Sequence, residues 1–278
     1  MTGRPGSNTA DDRVSRFDIR TAHPARVYDA LLGGKDNFAV DRAAAEAGTR
    51  AFPASGSSVR ANRAFLARAV EYLASAGIRQ FLDIGTGLPS ASNTHEVAQA
   101  IEPTSRVVYV DNDPIVLAHA EALLTSTRPG ITDYIDADLR DPGKILSQAS
   151  RTLDFTQPVA IMLIGVLHFI PDSDGPQGIV DTLIDAVRPG SHLTVSHLTK
   201  DHYPEEMEAF TRAVNEGTTA KSILRSHAEV TRFLHGLQPV DPGVVQISKW
   251  RPRSETEASA TAGLWGGMAR KTSRPADH

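Results

Sequence analysis

The chain of 278 residues has no cysteine. This excludes disulfides, thiolate metal sites and a cysteine nucleophile. It also lacks a long apolar run. The longest, "VAIMLIGVLHFI" at 159–170, is too short to span a bilayer and contains a histidine. No long basic run occurs and the net charge is −4, so nothing demands a nucleic-acid surface. The opening "MTGRPGSNTADDR" lacks the apolar centre of a signal peptide. There is no internal repeat, no G-x-S-x-G and no H-E-x-x-H. The 40% hydrophobic and 22% charged fractions are ordinary for a globular chain, and the expectation is a cytoplasmic protein with no membrane partner.

What is present is organised in three parts. Residues 1–15, polar and rich in Gly, Pro and Asp, read as a disordered tail. Residues 16–76 read as a helical extension. "PARVYDALLGG" carries Val27, Leu31 and Leu32 on one face and is stopped by two glycines. "KDNFAVDRAAAEAG" predicts a second helix. "SSVRANRAFLARAVEYLASAG" predicts a third, with Phe65, Leu66, Ala69, Val70 and Leu73 on one stripe.

From residue 77 to 278 the period changes. "RQFLDIG", "SRVVYVDND", "ITDYIDADL", "PVAIMLIGVLHF" and "HLTVSHLT" are strand-like, with helical patterns at 94–101, 114–125, 142–150 and 176–188 between them. Apolar strands alternating with helices predict a mostly parallel sheet covered on both faces. "GVVQISKW" and "GLWGGMARK" predict a terminal antiparallel pair, giving seven strands. Helices at "HYPEEMEAFTRAVNEG" and "SHAEVTRFLHG" precede that pair.

Open sheets of this kind bind ligands beyond the carboxyl ends of their strands. "QFLDIGTGLPS" at 80–90 places Asp83, Gly85 and Gly87 at such an end, where glycine permits a tight turn and close approach. Taken alone, G-x-G reads by default as a plain strand-to-helix turn with no ligand. Asp111 at the tip of the next strand suits the two hydroxyls of a ribose, and Asp138 after the third suits an adenine edge. A nicotinamide dinucleotide needs G-x-G-x-x-G and a pyrophosphate on a helix N-terminus. Here Pro89 and Ser90 follow, no third glycine does, and Asp83 would repel phosphate. An acid inside the turn suits a cationic ligand such as S-adenosylmethionine.

The ordered series "DIGTG", "VDND", "DADL", "LIGVLHFIPD" and "VRPGSHLTVSH" resembles that of the class I S-adenosylmethionine-dependent methyltransferases over roughly residues 70–271. "HPARVYDALLGGKDNFAVDRAA" with "NRAFLARAVEYL" resembles a narrower group. This is the actinobacterial-type S-adenosyl methyltransferase family once catalogued as a domain of unknown function. The resemblance implies a three-layer Rossmann-like α/β fold and S-adenosylmethionine as cofactor. It implies that Asp83, Gly85 and Gly87 form the methionine side, that Asp111 holds the ribose and that Asn112 lies against the adenine. Asp138 and Leu139 would hold the adenine edge, and the backbone at Ile164 and Gly165 would face the methionine amino group. The sequence departs from the family pattern at Pro89 and in the length of "LPSASNTHEVAQAIEP", which bears on where the first helix starts.

Two further groups are candidates. Tyr28, Gly33, Gly34, Lys35 and Asn37 read either as a lid that closes over the cleft or as a plain helix stop and turn. His168, at the end of the fourth strand, reads either as the base of methyl transfer or as a ring packed beside Phe169 with one nitrogen bonded to the backbone. His192, His197 and His202 do not predict a metal site, because residues five apart on a strand point to opposite faces. The overall expectation is methyl transfer to a small-molecule hydroxyl or amine. A non-catalytic sensor of the cofactor and a nicotinamide-dependent oxidoreductase are the alternatives.

Overall fold

The computed structural model describes residues 19–123, 126 and 129–273; the stretch 1–15 read as a tail lies outside them. Among the described residues three helices come first: α1 (Pro24–Leu32), α2 (Ala39–Ala51) and α3 (Ser55–Ser75). Strands and helices then alternate: β1 (Gln80–Ile84), α4 (Thr94–Ile101), β2 (Arg106–Asp111), α5 (Pro114–Leu123), β3 (Ile131–Asp136), α6 (Pro142–Ala149), β4 (Ala160–Ile164), α7 (Pro176–Asp185) and β5 (His192–Leu198). The chain finishes with α8 (Pro204–Gly217), α9 (His227–Arg232), β6 (Gln238–Pro239), β7 (Val245–Gln246), the short α10 (Glu255–Ala258) and β8 (Leu264–Arg270).

The sheet runs in the order β3-β2-β1-β4-β5-β8-β6, with β7 also paired to β8. Strands β1 to β5 are parallel neighbours. β8 lies antiparallel to β5, from His192 opposite Arg270 to Leu198 opposite Leu264. This is the mostly parallel α/β architecture the alternation predicts, but with eight strands where seven were expected.

The difference lies at "GVVQISKW". Only Val245–Gln246 pairs with β8, and Ile247–Lys249 coils into a 3-10 turn. Gln238–Pro239 supplies the additional strand. The reason is burial. Ile247 and Trp250 are both fully buried in one cluster, yet residues three apart on a strand face opposite ways. The turn brings both onto α3, where Trp250 meets Phe65 and Tyr72 edge-on, with centroids 5.4 and 6.1 Å away. The carbonyls freed from pairing are held by Arg68 of α3, which donates to Trp250 O at 2.8 Å and to Ile247 O at 2.7 Å. Trp250 is therefore off the terminal strands, whereas Trp265 is on β8.

Side-chain alternation divides the core in two. Leu82, Ile84, Val108, Val110 and Leu163 point to one face, where Ile145 of α6 and Leu183 of α7 cover them. Phe81, Val107, Tyr109 and Met162 point to the other, under the α3 stripe of Phe65, Leu66, Ala69, Val70 and Leu73. Phe65 and Leu73 are wholly buried, each contributing on the order of 1.5–3 kcal/mol by area. Three layers result, with α3 forming part of one of them. Among the described residues no helix is long and apolar enough to cross a membrane.

Candidate active site

β1 has β2 on one side and β4 on the other, so the chain reverses direction of travel at β1. The loops leaving β1 and β4 diverge there and open a crevice at the strands' carboxyl ends. The crevice encloses about 1180 Å³, its open mouth included. All nine residues assigned to the cofactor from sequence line it: Asp83, Gly85, Gly87, Asp111, Asn112, Asp138, Leu139, Ile164 and Gly165.

The turn after β1 is built around glycine. Gly85 has φ +76° and donates its amide to Val110 O at 2.8 Å. A Cβ there would stand 2.5 Å from Val166 Cγ2, so backbone angle and space both require glycine. α4 does not start at this turn. It begins at Thr94, where the Glu96 carboxylate accepts from Asn93 N at 2.8 Å. The long segment after Gly87 thus forms a loop, and the glycines present no helix N-terminus to a ligand.

Three carboxylates face the crevice in different electrostatic states. Asp83 shares a strand face with Phe81 and points toward α3. Thr94 Oγ1 donates to it at 2.6 Å. Burial lifts its carboxyl to about 6, against the opposing pull of Thr94 and Arg63, and the charge of Asp111 adds to the rise. Asp111 accepts from Gly87 N and Asp113 N, each at 2.9 Å, which fixes its carboxylate against the glycine turn. Burial raises its pKa as well, more than these two amides lower it. Asp138 accepts from Asn112 Nδ2 at 2.9 Å and from Arg140 N at 2.8 Å. Burial pushes its carboxyl up, but those bonds and the Arg140 guanidinium outweigh it and hold it below the usual range.

Of the N-terminal candidates, Tyr28 lines the crevice; Gly33, Gly34, Lys35 and Asn37 do not. Gly33 ends α1 with φ +81°. The Asn37 amide turns back onto Asp29 Oδ2 at 2.8 Å and Gly34 O at 3.0 Å, and Lys35 is exposed. "GGKDN" is a turn closed on Asp29. Tyr28 is tied inward: its hydroxyl donates to Val59 O at 3.0 Å and accepts from Asn62 Nδ2 at 3.2 Å. Asn62 Oδ1 in turn accepts from Ser196 Oγ at 2.7 Å.

Sequence reasoning missed Asn62 and its neighbour Arg63, both of which line the crevice from α3. A signal existed. Asn62 stands four residues before Leu66, in register with the apolar stripe, where a buried amide needs partners. Arg63 has its Nε buried without a hydrogen-bond partner, while Nη2 reaches Ala91 O and Ser92 O at 3.3 and 3.4 Å. Its positive charge acts on Asp83.

His168 sits in a 3-10 turn, Leu167–Phe169, directly after β4. It is only 6% exposed, and its ring lies 4.2 Å from that of Phe169, centroid to centroid. The expected backbone bond is missing: its Nδ1 is buried with no partner. Burial first, then the nearby His197 and Arg225, hold its pKa well below 6.5, so the ring is neutral. His197 is neutral too, pushed to about 4 chiefly by burial. Arg225 Nη1 donates to His197 Nε2 at 2.8 Å, so the proton is on Nδ1, which donates to Leu198 O at 2.7 Å. Asp172 pairs with Arg225 at 2.6 Å and does not line the crevice. Among the described residues no group of His, Asp and Glu is arranged to hold a metal ion.

Comparison with known proteins agrees with this geometry. A family model described as S-adenosyl methyltransferase matches residues 10–272. A crystal structure of a DUF574 family protein from Streptomyces avermitilis is 44% identical, covering 91% of this chain and 99% of that one with a TM-score of 0.88. A provisionally assigned methyltransferase from Thermobifida fusca is 39% identical, covering 93% of this chain and 98% of that one with a TM-score of 0.85. No curated protein matches the chain.

Proposed function

The chain belongs to the S-adenosyl methyltransferase family, and from that premise we propose that it methylates a small molecule, with the acceptor beside His168 and the cofactor against the glycine turn. S-adenosylmethionine is its cofactor, and the protein is a methyltransferase. The observation that carries the finer reading is the charge layout of the crevice. An ionisable acid, Asp83, sits inside the turn with the Arg63 guanidinium near it, and α4 starts too late to offer a helix N-terminus. A pyrophosphate would meet carboxylates there, and no helix starts from the glycine turn itself, which speaks against a nicotinamide dinucleotide. A zwitterionic amino acid tail attached to a sulfonium fits the same layout, with Asp83 for the cations and Arg63 for the carboxylate.

When bound, the cofactor supplies an electrophilic methyl group on sulfur, open to in-line attack by an acceptor. The chain's residues bind, orient and take protons. Asp111, already held by two amides, has lone pairs left for a ribose diol. Asp138, Asn112 and Leu139 form one connected edge suited to adenine. The neutral imidazole of His168 is ready to accept the proton that an acceptor hydroxyl or amine loses. A second cavity continuing from the crevice past His168 supports turnover over a purely sensory role.

Calorimetric titration with S-adenosylmethionine, S-adenosylhomocysteine and NAD in parallel tests the cofactor side. Micromolar binding of the first two, lost in Asp111→Ala, is the expected result. Binding of NAD, or unchanged affinity in Asp111→Ala, would overturn the assignment of the crevice.

A further inference from the structure

Beyond the cofactor crevice, and sharing Pro24, Tyr28, Asn62, Gly165, His168 and Phe169 with it, lies a second cavity of about 650 Å³, its open mouth included. Its far wall comes from elements that the sequence motifs of the cofactor do not touch: Val27 and Leu31 of α1, Val59 of α3, Met207 and Phe210 of α8, and Leu264 of β8.

The polar inventory of this cavity is nearly closed. Among the described residues that line it there is no Asp, Glu, Lys or Arg. Each hydroxyl has at least one protein partner. Ser55 Oγ lies 3.0 Å from Thr49 Oγ1, Ser58 Oγ accepts from Gly263 N at 3.0 Å, and Ser222 Oγ donates to Asn215 Oδ1 at 3.1 Å. The Tyr28 hydroxyl and both ends of the Asn62 amide belong to the chain that ends on Ser196. His168 is the exception. It is more than nine-tenths buried, borders both cavities and keeps Nδ1 unpaired.

An ion entering this space would lose its hydration and find no opposite charge, which is expensive. An apolar body would lose nothing, and one protic group could meet the imidazole. We infer that the second cavity is the acceptor site and that the acceptor is a neutral, largely apolar molecule presenting one hydroxyl or N–H to His168. The apolar wall selects the body, and the imidazole selects the protic group and orients it toward the cofactor crevice. This inference rests on the reading of the crevice as the cofactor site.

The test uses the full-length protein and three probes that differ in charge: 2-naphthol, 4-hydroxybenzoate and tyramine. S-adenosylhomocysteine binding is measured first; its failure would sink the cofactor reading by itself. With that ligand bound, 2-naphthol should bind at least tenfold tighter than the anionic and cationic probes. Val59→Phe, which fills the cavity, should weaken 2-naphthol at least tenfold and leave S-adenosylhomocysteine affinity unchanged. Should Val59→Phe fail to fold, Leu31→Trp, altering a partly buried position on the same wall, serves instead. Preference for a charged probe, binding of none, or 2-naphthol binding indifferent to the wall substitution overturns the inference while the cofactor reading stands.

Discussion

Replacing Asp83 with asparagine separates what the site costs from what it does. The carboxyl is buried at 4% exposure and titrates near 6 in place of 3.8. That difference corresponds to about 3 kcal/mol of unfavourable burial of the charged form. The sign follows from proton uptake. The folded protein takes up this proton near pH 6, the unfolded chain only near 3.8, so the penalty is present in full above about pH 6 and is relieved as pH falls toward 4. Asp83→Asn keeps an acceptor for the Thr94 hydroxyl and never ionises. Urea denaturation at pH 8 should therefore show the variant more stable than the parent, by up to about 3 kcal/mol. The gap should shrink at pH 5. The same variant should bind S-adenosylmethionine about ten- to a hundredfold more weakly at pH 8, from the loss of about 1.5–3 kcal/mol of charged hydrogen bonding. A variant less stable than the parent at pH 8, or one that binds the cofactor equally well, would refute this account of the acid in the turn.

Other outcomes are open to measurement. Arg63→Met should weaken S-adenosylmethionine about ten- to a hundredfold yet leave 5′-methylthioadenosine, which has no carboxylate, unaffected; equal losses for both would place Arg63 elsewhere in the site. Gly85→Ala should cost about 2–5 kcal/mol in urea denaturation, because a left-handed backbone angle and a 2.5 Å approach to Val166 act together. Gly87→Ala meets open space at φ +67° and should cost only about 1–2 kcal/mol, so equal losses would contradict the crowding of Gly85 by Val166. His168→Gln should lower turnover about 10²- to 10⁴-fold with cofactor affinity unchanged. Since burial keeps this imidazole neutral well below pH 6.5, the parent should show no His168-derived loss of activity as pH falls through 6.5.

The sheet was legible because buried strands carry apolar runs: β4 is apolar throughout, and β1 and β2 are apolar apart from their ends and Asp83. The α3 stripe was legible because its period matches the helix. "GVVQISKW" was misread as a strand because its composition is right for one. Only the presence of α3, with Arg68 to take up two carbonyls and a core to receive Ile247 and Trp250, makes the 3-10 turn cheaper. From sequence, "GGKDN" reads either as part of a lid or as a plain helix stop and turn. In the fold, Asp29 gathers Asn37 and the turn closes on itself.

The sequence by itself determined the order of strands and helices, the place of the glycine turn and the acids at successive strand tips. These follow from local rules: side-chain period, backbone freedom at glycine and the exit of a parallel strand toward one end of its sheet. The tertiary structure alone decided which helix faces those acids. Asn62 and Arg63 lie about 20 residues before Asp83 and far from His168 in the chain, and only packing of α3 across the sheet brings them to one crevice. It also decided the charge states, because burial is set by neighbours distant in sequence. Asp83 and Asp138 have the same carboxyl group, yet their pKa values move in opposite directions from its ordinary value.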